Sequence, residues 1–143
     1  MGWETINVND IDLTAGPKPV DAGTYTLQIS GAQDNKFRAG QTDVVLKITD
    51  DGPNKGRTIF LELPDPDKFP WSAELYARVV AALGVEVAPF ATPKEELNRI
   101  AQNGHSRFMA EVFVEKYPKK GETQENMTGQ RNKVAARSIR PAA

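Results

Sequence analysis

Three polar segments of this chain carry cations, and one of them sets an aromatic ring between two. Lys36-Phe37-Arg38 lies at the centre of a polar stretch bounded by Gly31 and Gly40. Lys55 and Arg57 close the run Asp51-Gly52-Pro53-Asn54-Lys55-Gly56-Arg57, and Lys119, Lys120, Arg131 and Lys133 fall in and just after a second polar stretch, Pro118 to Gln130. Lysine and arginine can follow a polyanionic backbone, and an exposed ring can stack on a flat base, worth about 1–3 kcal/mol per base. Taken singly, each cation is an ordinary solvated charge. The chemistry needs the three segments to converge on one surface.

The elements that could bring them together read mostly as strands. Gly23 to Ser30 alternates, with Tyr25, Leu27 and Ile29 on one face and Thr24, Thr26, Gln28 and Ser30 on the other, a period of two. The runs Val44-Val45-Leu46-Lys47-Ile48-Thr49 and Thr58-Ile59-Phe60-Leu61-Glu62-Leu63 flank the Asp-Gly-Pro turn and form a wide hairpin. Ser106 to Tyr117 alternates again, with Phe108, Ala110, Val112 and Val114 inward, and Asn132 to Ile139 makes a last strand. Between the third and fourth strands, Ser72 caps a helix through Leu83 that stops at Gly84. A shorter helix starts at Thr92-Pro93-Lys94-Glu95, a capping-box pattern.

Lys47 and Phe60 fall on the face of strands two and three away from the core, and Phe113 and Tyr117 do the same on strand four. A second outcome stays open for Phe60 and Phe113, packing beneath the helix. It stays open for Phe37 too, if its loop folds back, and Arg57 could instead fix the hairpin turn. Trp71, between Pro70 and Ser72, reads as a hydrophobic staple on the helix. Trp3 either packs the N-terminal segment or projects, and His105 reads as a loop residue.

Composition sets the outer limits. A chain of 143 residues has room for one hydrophobic core. There is no cysteine and a single histidine, which excludes disulfides, thiolate metal sites and a histidine cluster. Asp50, Asp51, Asp65 and Asp67 stand in turn contexts, where aspartate satisfies local backbone donors, so no catalytic residue, metal or cofactor is expected. No apolar run reaches the roughly 18–20 residues of a membrane span, and Met1-Gly2-Trp3-Glu4-Thr5 has no leader pattern, so a cytosolic setting is expected. The net charge of −1 is unevenly spread: residues 1 to 103 hold fifteen acids and ten bases, residues 104 to 143 four acids and eight bases. That asymmetry hints at a polyanion-facing end.

Three strands, a helical insertion and two more strands is the order of the five-stranded Greek-key barrel called the OB-fold, all-β with a small helical insertion. In that fold the loops between strands one and two and between strands four and five flank the ligand groove. The expected organisation is an extended arm over residues 1–22, in which Ile6, Val8, Ile11 and Leu13 are candidate anchors, the barrel over 23–140, and a tail over 141–143.

Four segments carry a resemblance. They are Asp21-Ala22-Gly23-Thr24-Tyr25-Thr26, the stretch from Ile48 to Phe60 with its Asp51-Gly52-Pro53-x-x-Gly56-Arg57 core, Ala81-Ala82-Leu83-Gly84-Val85, and Asn132-Lys133-Val134. In these the chain resembles the small phage-encoded OB-fold single-stranded-DNA-binding proteins, a family formerly described as a domain of unknown function. The resemblance implies coating of single-stranded DNA during phage replication or recombination, in the cytoplasm of a bacterial host. Replication or recombination proteins are the partners it implies, and a homodimer through sheet edges or a swapped arm is compatible with it. One departure is visible: the chain ends Arg137-Ser138-Ile139-Arg140-Pro141-Ala142-Ala143, where many such proteins carry an acidic recruiting tail. A protein-interaction accessory on the same fold and a virion structural component are the alternatives.

Overall fold

A computed structural model describes residues 3–7, 9, 18–104 and 106–142. Val8, Ile11, Leu13 and His105 lie outside the described residues. Ile6 is described and is exposed, so it anchors nothing.

Six strands form one antiparallel sheet: β1 (Gly23–Asp34), β2 (Thr42–Ile48), β3 (Thr58–Leu63), β4 (Arg107–Tyr117), β5 (Gly129–Val134) and the short β6 (Arg140–Pro141). The strand order is β3-β2-β1-β4-β5, with β6 also on β4. Two helices, α1 (Trp71–Leu83) and α2 (Pro93–Gln102), come between β3 and β4. The β-rich character and the placement of the helical insertion agree with the sequence reading. Among the described residues, no helix is long and apolar enough to cross a membrane.

β1 is the spine. Its first half pairs with β4, from Gly23↔Val112 to Gln28↔Arg107, and its second half continues along β2 to Asp34↔Thr42. The register slips between Ile29 and Gly31. This bulge at Ser30 changes which parity faces inward, so Leu27 and Ile29 are buried before it and Ala32 after it. For that reason the strand runs four residues past the Ser30 boundary expected from simple alternation. At the far end Asn98 of α2 acts as a substitute neighbour: the Ala32 N–H donates to Asn98 Oδ1 at 2.9 Å, and Asn98 Nδ2 donates to the Ala32 carbonyl at 2.9 Å.

The core is one cluster in which Leu27, Val44, Leu46, Ile48, Ile59 and Phe108 of the sheet meet Leu75 and Val79 of α1 and Leu97 and Ile100 of α2. Thr92 caps α2 as expected, its Oγ1 accepting from the Glu95 N–H at 3.3 Å. α1 is capped differently. Pro70 holds the cap position with no side-chain bond, and Ser72 is buried inside the first turn. Gly84 does end α1, in the left-handed conformation at φ 68°.

The C-terminal segment departs most from expectation. The ladder of β5 ends at Val134, and a single 3-10 turn, Ala136–Ser138, lifts the chain off β4. Ser138 Oγ accepts the Glu111 N–H at 2.7 Å, and the Ala135 N–H donates to the Glu111 carbonyl at 2.9 Å. Pairing then resumes at Met109↔Arg140 and Phe108↔Pro141, so part of the expected 141–143 tail is pinned to the sheet. Val114, expected inward, is exposed because β4 runs past the core beyond Val112.

Candidate nucleic-acid interface

The two ends of the strand path, β3 and β5, face each other across a seam. Lys133 Nζ of β5 lies 3.2 Å from Glu62 Oε2 of β3. The segment Lys18 to Val20 lies along the same seam and is held from both sides, by the residue just before β3 and by β5. Arg57 donates to the Lys18 carbonyl, while Asn132 grips Val20 twice, accepting from its N–H at 2.9 Å and donating to its carbonyl at 3.0 Å. Val20 is buried as a result, and among the described residues of 1–22 it is the buried apolar side chain.

A trough follows this seam as four adjoining depressions. One of about 360 Å³ lies between β3 and β5 and is lined by Phe60, Glu62, Arg131 and Lys133. A second, also about 360 Å³, continues toward Lys18 and Arg57. On the other side, one of about 400 Å³ extends toward α1, lined by Trp71, Arg78 and Phe113. The largest, about 600 Å³, opens under the β1–β2 loop and is lined by Phe37, Arg38, Lys68, Phe69 and Trp71. Phe60 lines three of the four, and so do Glu62 and Lys133, so the depressions form a continuous surface.

The β1–β2 loop is rigidly built. Asn35 Oδ1 accepts from the N–H groups of Phe37 (2.8 Å) and Arg38 (2.9 Å), a local turn that only a short amide or carboxylate side chain makes well. Asp43 braces the loop from beneath, accepting from Asn35 Nδ2 at 2.9 Å and Gln41 Nε2 at 2.8 Å. The turn pushes Phe37 outward to 94% exposure. The loop also seats against the β3–α1 connection: Gly40 has φ 77°, and a Cβ there would lie 2.9 Å from that of Asp65. Arg38 reaches back over β3, its Nη1 3.9 Å from Glu62 Oε2.

Seven of the expected residues therefore line the trough: Phe37, Arg38, Arg57, Phe60, Phe113, Arg131 and Lys133. Phe60 and Phe113 remain about half exposed rather than packed beneath the helix. Six lie outside it. Lys36 is exposed on the same loop as Phe37, and Lys47 projects from β2 opposite Thr58, at the margin. Lys55 pairs with Asp51 at 2.9 Å at the hairpin tip and holds that carboxyl below its ordinary value. Tyr117 is occupied: its ring covers Gly129, where a Cβ would fall 2.7 Å from it, and the Arg131 guanidinium sits 5.0 Å from its centroid. It is a cross-strand partner of Arg131 and, half-buried, lines none of the four depressions.

Lys119 and Lys120 are exposed on the β4–β5 loop and line no part of the trough. That loop is organised around Glu122, whose carboxylate accepts from the Lys119 N–H (2.7 Å), the Thr128 N–H (3.1 Å) and Thr128 Oγ1 (2.6 Å). These bonds, the Thr128 hydroxyl foremost, depress the Glu122 pKa. The polar stretch read between the last two strands thus has local order of its own, with a 3-10 turn at Gln124–Asn126. Arg57 ties the N-terminal segment to the seam as well as lining the trough.

Lys68, Phe69 and Trp71 also line the trough, where neither alternation nor charge spacing points to them. Trp71 is 54% exposed, so it does not staple α1, and its ring centroid lies 6.0 Å from that of Phe69 at 58°. The available signal is the run Lys68-Phe69-Pro70-Trp71 itself, a cation and two rings around a proline just before a helix. No protein-family model matches this chain, and no curated protein matches it.

Proposed function

We propose that this protein is an OB-fold single-stranded-DNA-binding protein of phage type, non-enzymatic, that coats DNA with little sequence preference during replication or recombination. The strand order β3-β2-β1-β4-β5, with the end strands facing each other and the helices inserted before β4, is the arrangement from which such a barrel closes. One observation carries the reading. Among the described residues, six aromatic side chains are strongly exposed, and all but Phe90 (Phe37, Phe60, Phe69, Trp71 and Phe113) line one trough together with Lys18, Arg38, Arg57, Arg131 and Lys133. Rings set among cations along a groove suit a strand whose phosphates are paired and whose bases are stacked.

The test is a fluorescence-anisotropy titration of labelled oligo-dT and of a mixed-sequence oligonucleotide at two salt concentrations. Binding of both, with log affinity falling linearly in log salt, is expected because counterions are released. Absence of binding, or binding indifferent to salt, refutes it. A second reading, a protein-contacting accessory, draws on Phe90, which is 100% exposed between the helices and away from the trough. Silence in the titration together with a partner retained by wild type and lost by Phe90→Ala would favour it.

A further inference from the structure

Resting on that reading, we infer that the depression walled by Phe37, Phe69 and Trp71 is a nucleobase pocket, in which one base of the bound strand leaves the sheet and is held between rings while its phosphates meet Arg38 and Lys68. The walls belong to two turns that the sheet alone would not hold together. The β1–β2 loop supplies Phe37 and Arg38; the β3–α1 connection supplies Lys68 and Phe69, and Trp71 is the first residue of α1. The contact of Gly40 with Asp65 fixes one turn against the other. Asp65 also sets the second turn, its Oδ1 accepting the Asp67 N–H at 3.0 Å and its carbonyl the Phe69 N–H at 2.9 Å. The backbones of both turns are thus held before anything binds, while the Phe37 ring itself stays 94% exposed.

Phe69 and Trp71 make a tilted ring contact, 6.0 Å between centroids at 58°, yet both keep about half of their surface in water and Phe37 nearly all of it, apolar area left open for a ligand. A volume of about 600 Å³ lies in the size range of small-ligand sites, about 300–1,000 Å³. Arg38, Lys68 and Lys133 stand around it against two acids, Glu62 and Asp65, a small cationic excess. That excess suits a base attached to phosphates better than an apolar peptide.

Trp71 is its own probe. In a Trp3→Phe background it is the only tryptophan, so its emission can be followed while the anisotropy of a labelled oligonucleotide reports binding. Oligo-dT is compared with an oligonucleotide of the same length whose residues are all abasic. Quenching of Trp71 by oligo-dT and not by the abasic strand is expected. Trp71→Ala should weaken oligo-dT binding about 5- to 150-fold, the range of one base–aromatic stack, leave the abasic affinity unchanged, and be largely rescued by Trp71→Phe. Binding by anisotropy without quenching, equal quenching by the abasic strand, or equal losses for Trp71→Ala and Trp71→Phe would overturn the pocket and leave DNA binding standing. No anisotropy change with either strand would overturn both.

Discussion

Arg38 and Lys133, 95 positions apart in the chain, share one carboxylate: the Arg38 guanidinium lies 3.9 Å and the Lys133 ammonium 3.2 Å from the same Glu62 oxygen. Through this acid the β1–β2 loop and β5 converge over β3. A phosphate entering the trough must compete with Glu62 for both cations. Glu62→Gln should therefore tighten oligo-dT binding by up to about fivefold, the scale of a partly exposed ion pair. It should also steepen the salt slope by about 0.7 for each additional phosphate neutralised. Weaker binding in the anisotropy titration would show that Glu62 helps the site by positioning.

Phe37→Ala removes a ring that has almost no contact with the protein. The melting temperature should hold, since exposed substitutions stay within about 0.5 kcal/mol, while oligo-dT affinity falls by the 1–3 kcal/mol of about one stack. Thermal melts and the titration, run on the same sample, separate these two quantities. Unchanged affinity removes Phe37 from the binding surface.

Gly40 and Gly56 are both left-handed, at φ 77° and φ 84°, but only Gly40 has a neighbour where a Cβ would stand. Both alanine variants should lose about 1–3 kcal/mol of stability in chemical denaturation from backbone strain. Gly40→Ala should in addition lose DNA affinity, because the β1–β2 loop must move off Asp65. Equal affinity in the two variants would mean that the seating of that loop has no part in binding.

The hydrogen bonds to Glu122 give the β4–β5 loop an acid limit. Its carboxyl titrates below the ordinary 4.5 in the folded protein, so its contribution is fully present above that value. It is lost as pH falls through the lowered one. The protection of the Lys119 and Thr128 amides, their exchange measured against the intrinsic rate at each pH, should be high at neutral pH and fall on acidification through that window. Glu122→Ala should show fast exchange at those amides already at pH 7. Protection that persists in the variant would assign the loop's order to its 3-10 turn, Gln124–Asn126.

Asn132→Ala should cost about 1–3 kcal/mol, because the Val20 peptide group loses a donor and an acceptor together. Asn132→Asp keeps the acceptor and loses the donor, so it should fall between wild type and alanine in denaturant titrations. Full stability of Asn132→Ala would mean that Val20 stays buried without the clamp.

Where the sequence is legible, local rules suffice. Alternation marks β2, β3 and most of β4, and Thr92-Pro93-x-Glu95 marks the start of α2. Local rules fail wherever a side chain takes over a backbone task. Alternation through Ser30 cannot announce a bulge, so it cuts β1 short, and Ser138 binding Glu111 turns the final strand into a 3-10 turn. The site divides in the same way. Phe37 and Arg38 are readable because a ring between cations in a polar stretch has no core to join. Trp71 misleads because the position before a helical serine usually packs, whereas here Pro70 caps the helix and the indole projects. Tyr117 misleads because only the tertiary pairing with Gly129 reveals that its ring is already engaged.

The clamp of Asn98 on Ala32 has a bearing on how copies of this protein could line up along a polymer. A sheet border left bare offers itself to the next molecule's strand, and chains that stack this way grow whether or not a template is present. Here a side-chain amide already fills that place where β4 has departed, so this stretch of β1 has no vacancy for a second copy.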